Sequence, residues 1–562
     1  MKRKSTAIAT AAVLGIGAMV LAGCAPLNKA SSTPAPQLPT VGWKSVAYSD
    51  LKQGGTLNLA AAQSGTDGGN WNINTSEGNE QDVIDILGPL SGAPLKATAS
   101  GGVTVDTDYA TSVKLISTSP EVAEVKLNPS AVWEDGSPIT AADYKATFAT
   151  LSGADKDFDI VSSQGFDDVK SFDVLSPTDF KVTFKKTYAD WQGLFTTVPV
   201  PASIASSADL WNKGFVTKPL PSNGPYIMTS IDNSADTFTE TPNPKWWGRK
   251  PKLDKITWTV IDQAAEGQAF VNSEINAVDV NDVDTYDAAI KKADIVKESS
   301  GGLTWSQVTF NGRSVPLNDV KVRKAVSLAI NRNLISKAAN APLGVATTTD
   351  GNWIFMPGQA GYKDTVDATL AYDPSGAKTL LTSDGWKLSG GKWKKGGKTL
   401  SLSIIFPQGS NSNELRAQQI QSSLKAIDIP VAINQVPSAN YFNDIIAGKF
   451  EMTTFGWGGT LFPISAAESL FYPTQKPGDE NGQNFAFISN PKLKALFDSA
   501  NSDLNPTKRL ATADKINKVI ASYVPMLPIA PYPNITVVDK DVANYGPATF
   551  LSTDWTLVGL TK

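Results

Sequence analysis

Histidine is absent from this 562-residue chain, and cysteine occurs once, at Cys24. The first absence removes the commonest general base and the commonest soft-metal ligand. Zinc, copper, nickel and haem sites of ordinary type are therefore not expected, and no Ser-His-Asp or Cys-His triad can form. The second absence rules out an intrachain disulfide, so burial of apolar surface must hold the fold together. Concentrated positive charge is also missing. Formal net charge is −4, and without a Lys/Arg stripe the chain has little with which to neutralise phosphates, so nucleic acid is excluded as a partner. Neither cofactor nor metal is expected. Chemistry that uses only carboxylates or lysine stays open at this level.

What is present begins with an address. Lys2, Arg3 and Lys4 precede an apolar run, Ala7 to Leu21, that is too short and small-residued for a comfortable membrane span. Leu21-Ala22-Gly23-Cys24 follows directly and resembles the bacterial lipobox. That resemblance implies cleavage after residue 23 and a diacylglycerol thioether on Cys24, whose two acyl chains suffice for stable anchoring to a lipid bilayer. Residues 1–23 carry three positive charges and no acidic ones, so their removal from a chain of net charge −4 leaves −7. Residues 24–50 are rich in Ala, Ser, Thr and Pro and read as a semi-extended tether with a reach of roughly 75 Å. The expected location is the extracytoplasmic face of a cell membrane, in a Gram-positive-type envelope.

The remaining chain is too long for one hydrophobic core. Strand patterns occur at Gly54–Ala60, Val122–Leu127, Phe180–Phe184, Ile256–Val260, Leu400–Phe406 and Ile535–Val538. Helical spacing occurs at Val322, Val326, Ala329 and Ile330, over Leu415–Ile427, and over Lys492–Phe497. Strands and helices mix without sustained βαβ alternation, which gives an α/β protein of several lobes. Gly390 to Thr399 superficially suggests a phosphate loop, yet Leu400, Leu402, Ile404 and Phe406 then alternate as a strand, so glycine turns around a basic hairpin are expected instead. Glu134-Asp135 lies in a turn before Thr140-Ala141-Ala142-Asp143, a capping-box start, and reads as structural capping rather than catalysis.

Four segments together resemble the peptide/nickel-type, family 5 solute-binding proteins of ABC importers. They are Val132–Asp143 (VWEDGSPITAAD); Asn223–Tyr226 with Asn243–Gly248 and Pro251–Ile256; Thr309–Asn311 with Asp319–Ala325 and Ala329–Arg332; and Tyr372–Pro374 with Ala377–Lys378, Leu380–Leu381 and Gly385–Trp386. Asn331 stands where the similar motif has Asp. The resemblance implies a two-lobed periplasmic-binding-protein-like fold of type II, with an extra subdomain inserted in lobe one and a two-crossover hinge. It places lobe one at 51–306 with the insert at about 95–215, lobe two at 307–526, and the return to lobe one at 527–562. Crossovers are expected near Gln307–Asn311 and Pro525–Tyr532. A monomeric binding protein without enzymatic activity is implied, with a small peptide or other small solute as ligand and ABC permease subunits as partners.

The resemblance also nominates ligand residues. Phe455-Gly456-Trp457-Gly458-Gly459-Thr460 matches a strand-to-loop segment that lines the cleft in peptide-binding relatives, where a ligand can add as an extra strand. Many relatives carry an aspartate at the position of Thr460 to hold a free amino group, and a neutral hydroxyl cannot replace that contact. Asn74-Thr75-Ser76 resembles the lobe-one ligand segment, and Trp353 is a candidate side-chain pocket wall. Peptide capture leads. A non-peptide solute (an oligosaccharide or an amino-blocked peptide) and a regulatory, non-transporting envelope lipoprotein remain as alternatives.

Overall fold

The computed structural model describes residues 38–61, 70–478 and 482–562. The signal peptide, Cys24 and residues 24–37 of the tether lie outside the described residues.

Two hydrophobic cores organise the body. The second core in sequence surrounds a five-stranded sheet ordered Val431–Val436, Leu402–Pro407, Met452–Trp457, Trp305–Phe310, Met526–Pro531. Every residue of Trp305–Phe310 is buried, because this strand has a neighbour on each edge and helices over its faces. The predicted Val322/Val326/Ala329/Ile330 stripe forms the helix Val320–Ala329, and all four side chains enter that core. Arg323, four per cent exposed, donates to the carbonyls of Leu317, Tyr523 and Val524 and so binds this helix to the end of the Pro506–Tyr523 helix. Asn331 caps the next helix by accepting from the Leu334 amide at 3.0 Å, a task Asp performs equally well.

The first core lies beside a sheet ordered Thr56–Ala61, Lys255–Val260, Thr237–Pro242, Tyr226–Asp232. It extends to an antiparallel sheet of Ala110–Thr118, Glu121–Leu127, Asp179–Phe184 and Val169–Ser176, covered by the helix Ala141–Leu151. The capping box at that helix is formed: the Asp143 carboxylate accepts from the Thr140 amide at 2.8 Å. Glu134 and Asp135 do not cap it. Asp135 accepts from the Ser137 amide at 2.8 Å and closes the preceding turn, while Glu134 accepts from the Ser222 amide at 3.1 Å and ties that turn to a distant segment. Gly390 to Thr399 folds as the expected hairpin, Lys387–Ser389, Lys392–Lys395 and Lys398–Thr399, with left-handed glycines at both turns.

A third sheet joins the two ends of the first lobe. Asn534–Asp539 is its central strand, between Ala277–Asp279 and Ile295–Ser300. The chain thus passes between lobes through Gly301–Thr304 and through Tyr532–Pro533. The expected crossover at Gln307–Asn311 falls instead inside or at the end of the Trp305–Phe310 strand, whose full burial makes it core rather than connection. The other connection lies at the C-terminal end of the expected Pro525–Tyr532 segment.

Candidate functional site

A cavity of about 1540 Å³ has walls from both cores. Ile73, Ile84, Asp85, Asp279, Tyr545 and Trp555 come from the first; Ala338–Asn340, Ser410–Ser412, Leu415 and Leu461 come from the second; Thr304 and Tyr532 come from the two connections. A cleft bounded in this way changes shape whenever the lobes move about their connections.

Its charge is one-sided. Among the described residues the lining holds Asp85, Asp106, Asp108, Asp279, Asp282, Asp284 and Asp554 against one basic side chain, Lys96. Lys96 is occupied by Asp106 at 3.2 Å. Asp85 projects from the short helix Gln81–Leu87 and accepts from Gln81 at 2.9 Å. Asp279 ends its strand and accepts from the Thr536 hydroxyl at 2.7 Å. A recess of about 110 Å³ is lined by Asp82, Asp85, Glu266, Asp279 and Tyr545. Asp85 and Asp279 keep contact with cleft water, yet protein surrounds them on most sides. Enclosure first, then the charges of Asp279 and Asp82, pushes Asp85 up to about 7; enclosure raises Asp279, with the Thr536 hydroxyl opposing. Glu266 is pushed up to about 7 by burial and then by Asp279 and Asp82. Burial first, then Asp279 and Asp85, raises the Tyr545 phenol well above its ordinary value. The described residues contain no group of three carboxylates able to hold a metal ion.

Behind the opposite wall Arg416 supports the lining residue Tyr532. It is four per cent exposed, donates to Thr454 Oγ1 at 3.0 Å and also to Asn413 and the Tyr532 hydroxyl. One guanidinium therefore ties the Asn411–Lys425 helix, the Met452–Trp457 strand and an interlobe connection together.

The nominated residues distribute unevenly around this cleft. Asn74 and Thr75 belong to a tight turn on Asn72: Asn74 Nδ2 donates to Asn72 Oδ1 at 3.0 Å, and the fully buried Thr75 hydroxyl donates to the Asn72 carbonyl at 2.8 Å. Ser76 is exposed and pairs with Asp159, its hydroxyl at 2.7 Å. Their neighbour Ile73, rather than these three, lines the cavity. Trp353 requires correction. It is two per cent exposed within the second core, and its indole N–H donates to the Met526 carbonyl at 3.0 Å, so it packs the lobe and does not line the cleft.

Phe455 sits among Tyr441, Phe442 and Phe485, and Trp457 stacks on Phe485 with ring centres 5.6 Å apart. The Leu402–Pro407 strand pairs with the Met452–Trp457 strand only at Met452 and Thr453, so among the described residues Phe455–Trp457 have no strand neighbour on that edge. Gly456 lies against the ring of Tyr532, where an added Cβ would come to 3.0 Å. Space is open at Gly458; at Gly459 an added Cβ would lie 2.6 Å from the Leu303 carbonyl oxygen. Thr460 is exposed, with its carbonyl accepting from Gln359 at 2.9 Å and its hydroxyl from the Phe462 amide at 3.0 Å. None of Phe455–Thr460 lines the cavity itself; the segment meets its wall only at the next residue, Leu461. Asp85, Asp279, Tyr545 and Arg416 escaped the sequence reading because nothing local distinguishes them; only the tertiary fold brings the first three together.

A profile described as bacterial extracellular solute-binding proteins, family 5 Middle, matches residues 104–479. The chain is similar to the oligopeptide-binding protein OppA of Mycobacterium tuberculosis, at 32% identity, covering 97% of this chain and 92% of that one. Among solved structures it resembles the periplasmic EDTA-binding protein EppA, with TM-score 0.84, 24% identity and coverage of 94% and 100%. It also resembles the oligopeptide-binding protein AppA of Bacillus subtilis in complex with a nonapeptide, with TM-score 0.74, 21% identity and coverage of 91% and 100%.

Proposed function

This chain belongs to the family 5 bacterial extracellular solute-binding proteins, and from that premise we propose that it captures an extended oligopeptide in the cleft between its lobes. As a family member it is the solute-binding component of an ABC importer and not an enzyme. The observation that carries the peptide reading is the cleft itself: two-walled, about 1540 Å³, and next to an unpaired strand edge at Phe455–Trp457. Such an edge offers main-chain groups to a ligand of any side-chain sequence. The acidic wall supplies what Thr460 cannot. Asp85 and Asp279 favour a cargo with a free amino terminus or basic side chains over an anionic or amino-blocked one.

The Asn74–Ser76 turn acts here through Ile73, and the 455–460 segment through its backbone edge. A lobe division with crossings at Gly301–Thr304 and Tyr532–Pro533, the monomeric state and the acylated Cys24 belong to the same proposal. The lipid keeps the receptor within reach of its permease. Among the described residues no helix is long and apolar enough to cross a membrane. Cys24→Ala is expected to abolish acyl incorporation and release the protein from membranes.

Native mass spectrometry of protein purified from its own host tests the cargo, because an enclosed cleft retains ligand. Peptide masses, and thermal stabilisation by those peptides of about 2.7 kcal/mol at 100 times Kd, are expected. Recovery of a non-peptide solute, with no stabilisation by any peptide, would overturn the reading.

A further inference from the structure

The two lobes also touch at a place that contributes no charged side chain to the cavity. Asp190, in the first lobe, precedes the turn Trp191–Thr196; Arg509 lies near the start of the second-lobe helix Pro506–Tyr523. Both terminal guanidinium nitrogens of Arg509 donate to the two carboxylate oxygens of Asp190, and Nε donates to the Ala500 carbonyl at 3.1 Å. The third bond fixes the plane of the fork, so the bidentate geometry is prepared from the second-lobe side.

Three further contacts surround the pair. The Ala189 amide donates to the Asn501 carbonyl at 2.7 Å. Leu504 leaves its own lobe to pack on the first core. Gly193 lies so close to the Phe462 ring that an added Cβ would come to 3.1 Å. Thr196 and Val198 on one side and Leu461 on the other line the cavity, and they adjoin these contacts in sequence. The contacts therefore sit at the rim of the cleft.

We propose that Asp190 and Arg509 form a clasp that holds the lobes closed and sets how long cargo is retained, without touching the cargo. The Asp190 side chain is three per cent exposed, and its partner Arg509 comes from the other lobe. Opening rehydrates both charges, whereas removing one partner leaves the other buried and unpaired and so penalises the closed state. Apparent affinity follows the closed fraction, so the pair are positioning residues for capture. The retention part rests on the cleft reading above; the clasp itself does not.

The test is hydrogen exchange on the full chain, read at the segment carrying the Ala189 amide, which is protected by a bond between lobes. Arg509→Ala and Asp190→Ala are each expected to speed its exchange roughly 100-fold, while Trp305–Phe310 and Asp179–Phe184 keep their protection. The exchanged pair, Asp190→Arg with Arg509→Asp, should restore slow exchange. Unchanged exchange in both single variants overturns the clasp. So does acceleration spread equally through both cores, which would mark a purely structural pair. With a labelled nonapeptide as probe, the single variants should release it faster at an unchanged association rate; equal release rates overturn the retention role. A wild-type protein that fails to bind any nonapeptide refutes the peptide reading instead, and the exchange measurement still decides the clasp.

Discussion

Lowering the pH from 8 to 5.5 is expected to weaken binding of a cationic peptide through Asp85, by at most about 30-fold. The carboxyl is pushed from 3.8 up to about 7, first by enclosure and then by Asp279 and Asp82, with Gln81 opposing. Glu266 and Tyr545 share the same recess and bring no positive charge to it. With an apparent value of 7, roughly nine-tenths of Asp85 is ionised at pH 8 and about 3% at pH 5.5. A bound ammonium stabilises the ionised form, so binding expels the proton. Calorimetry in two buffers of different ionisation enthalpy at pH 6.5 should therefore detect proton release. Asp85→Asn should abolish both the release and the pH dependence. The stability effect runs the other way: because the folded value is raised, stability falls as pH rises from about 4 through 7, while affinity for a cation rises. Affinity that stays flat over pH 5.5–8, with no proton exchanged, would refute the assignment of Asp85 to the amine side of the cargo.

Two further outcomes concern the scaffold. Trp353→Ala removes a fully enclosed indole and orphans the Met526 carbonyl, so it should destabilise by about 3–5 kcal/mol in urea unfolding; a loss below about 1 kcal/mol would place the ring outside the core. Asp143→Ala removes the cap on Thr140 and the acceptor for the Ala202 amide at 2.8 Å. It should lower stability by about 1–2 kcal/mol with cargo affinity unchanged, measured by the same unfolding assay beside a binding titration.

Much of the scaffold is legible locally because its rules are local. The Thr140/Asp143 capping box, the Val322/Val326 stripe and the glycine-flanked lysine hairpin each depend on spacings of a few residues, and each forms as read. The cleft follows no such rule. Asp85 lies on a short helix and Asp279 at a strand end, while Tyr545 lies beyond the last long strand; they share a recess only because Asn534–Asp539 draws the chain's end back into the first lobe. Trp353 shows the converse difficulty. A tryptophan after Gly351-Asn352 suits a loop that meets a ligand equally well, until the Met526 carbonyl is found waiting for its N–H.

The position of Asn534–Asp539 also bears on the order of folding during secretion. The second core draws on residues 305–530, a continuous stretch that can close as soon as it has emerged. The first lobe is built from residues before 301 but needs those after 533: the central strand of one sheet, together with Val538, Val542, Trp555 and Val558 in its core, arrives last. The half translated first therefore matures second. Until then its Ala277–Asp279 and Ile295–Ser300 strands have edges open to other chains, so a C-terminal truncation before residue 534 should expose the N-terminal half to aggregation while leaving the second core intact.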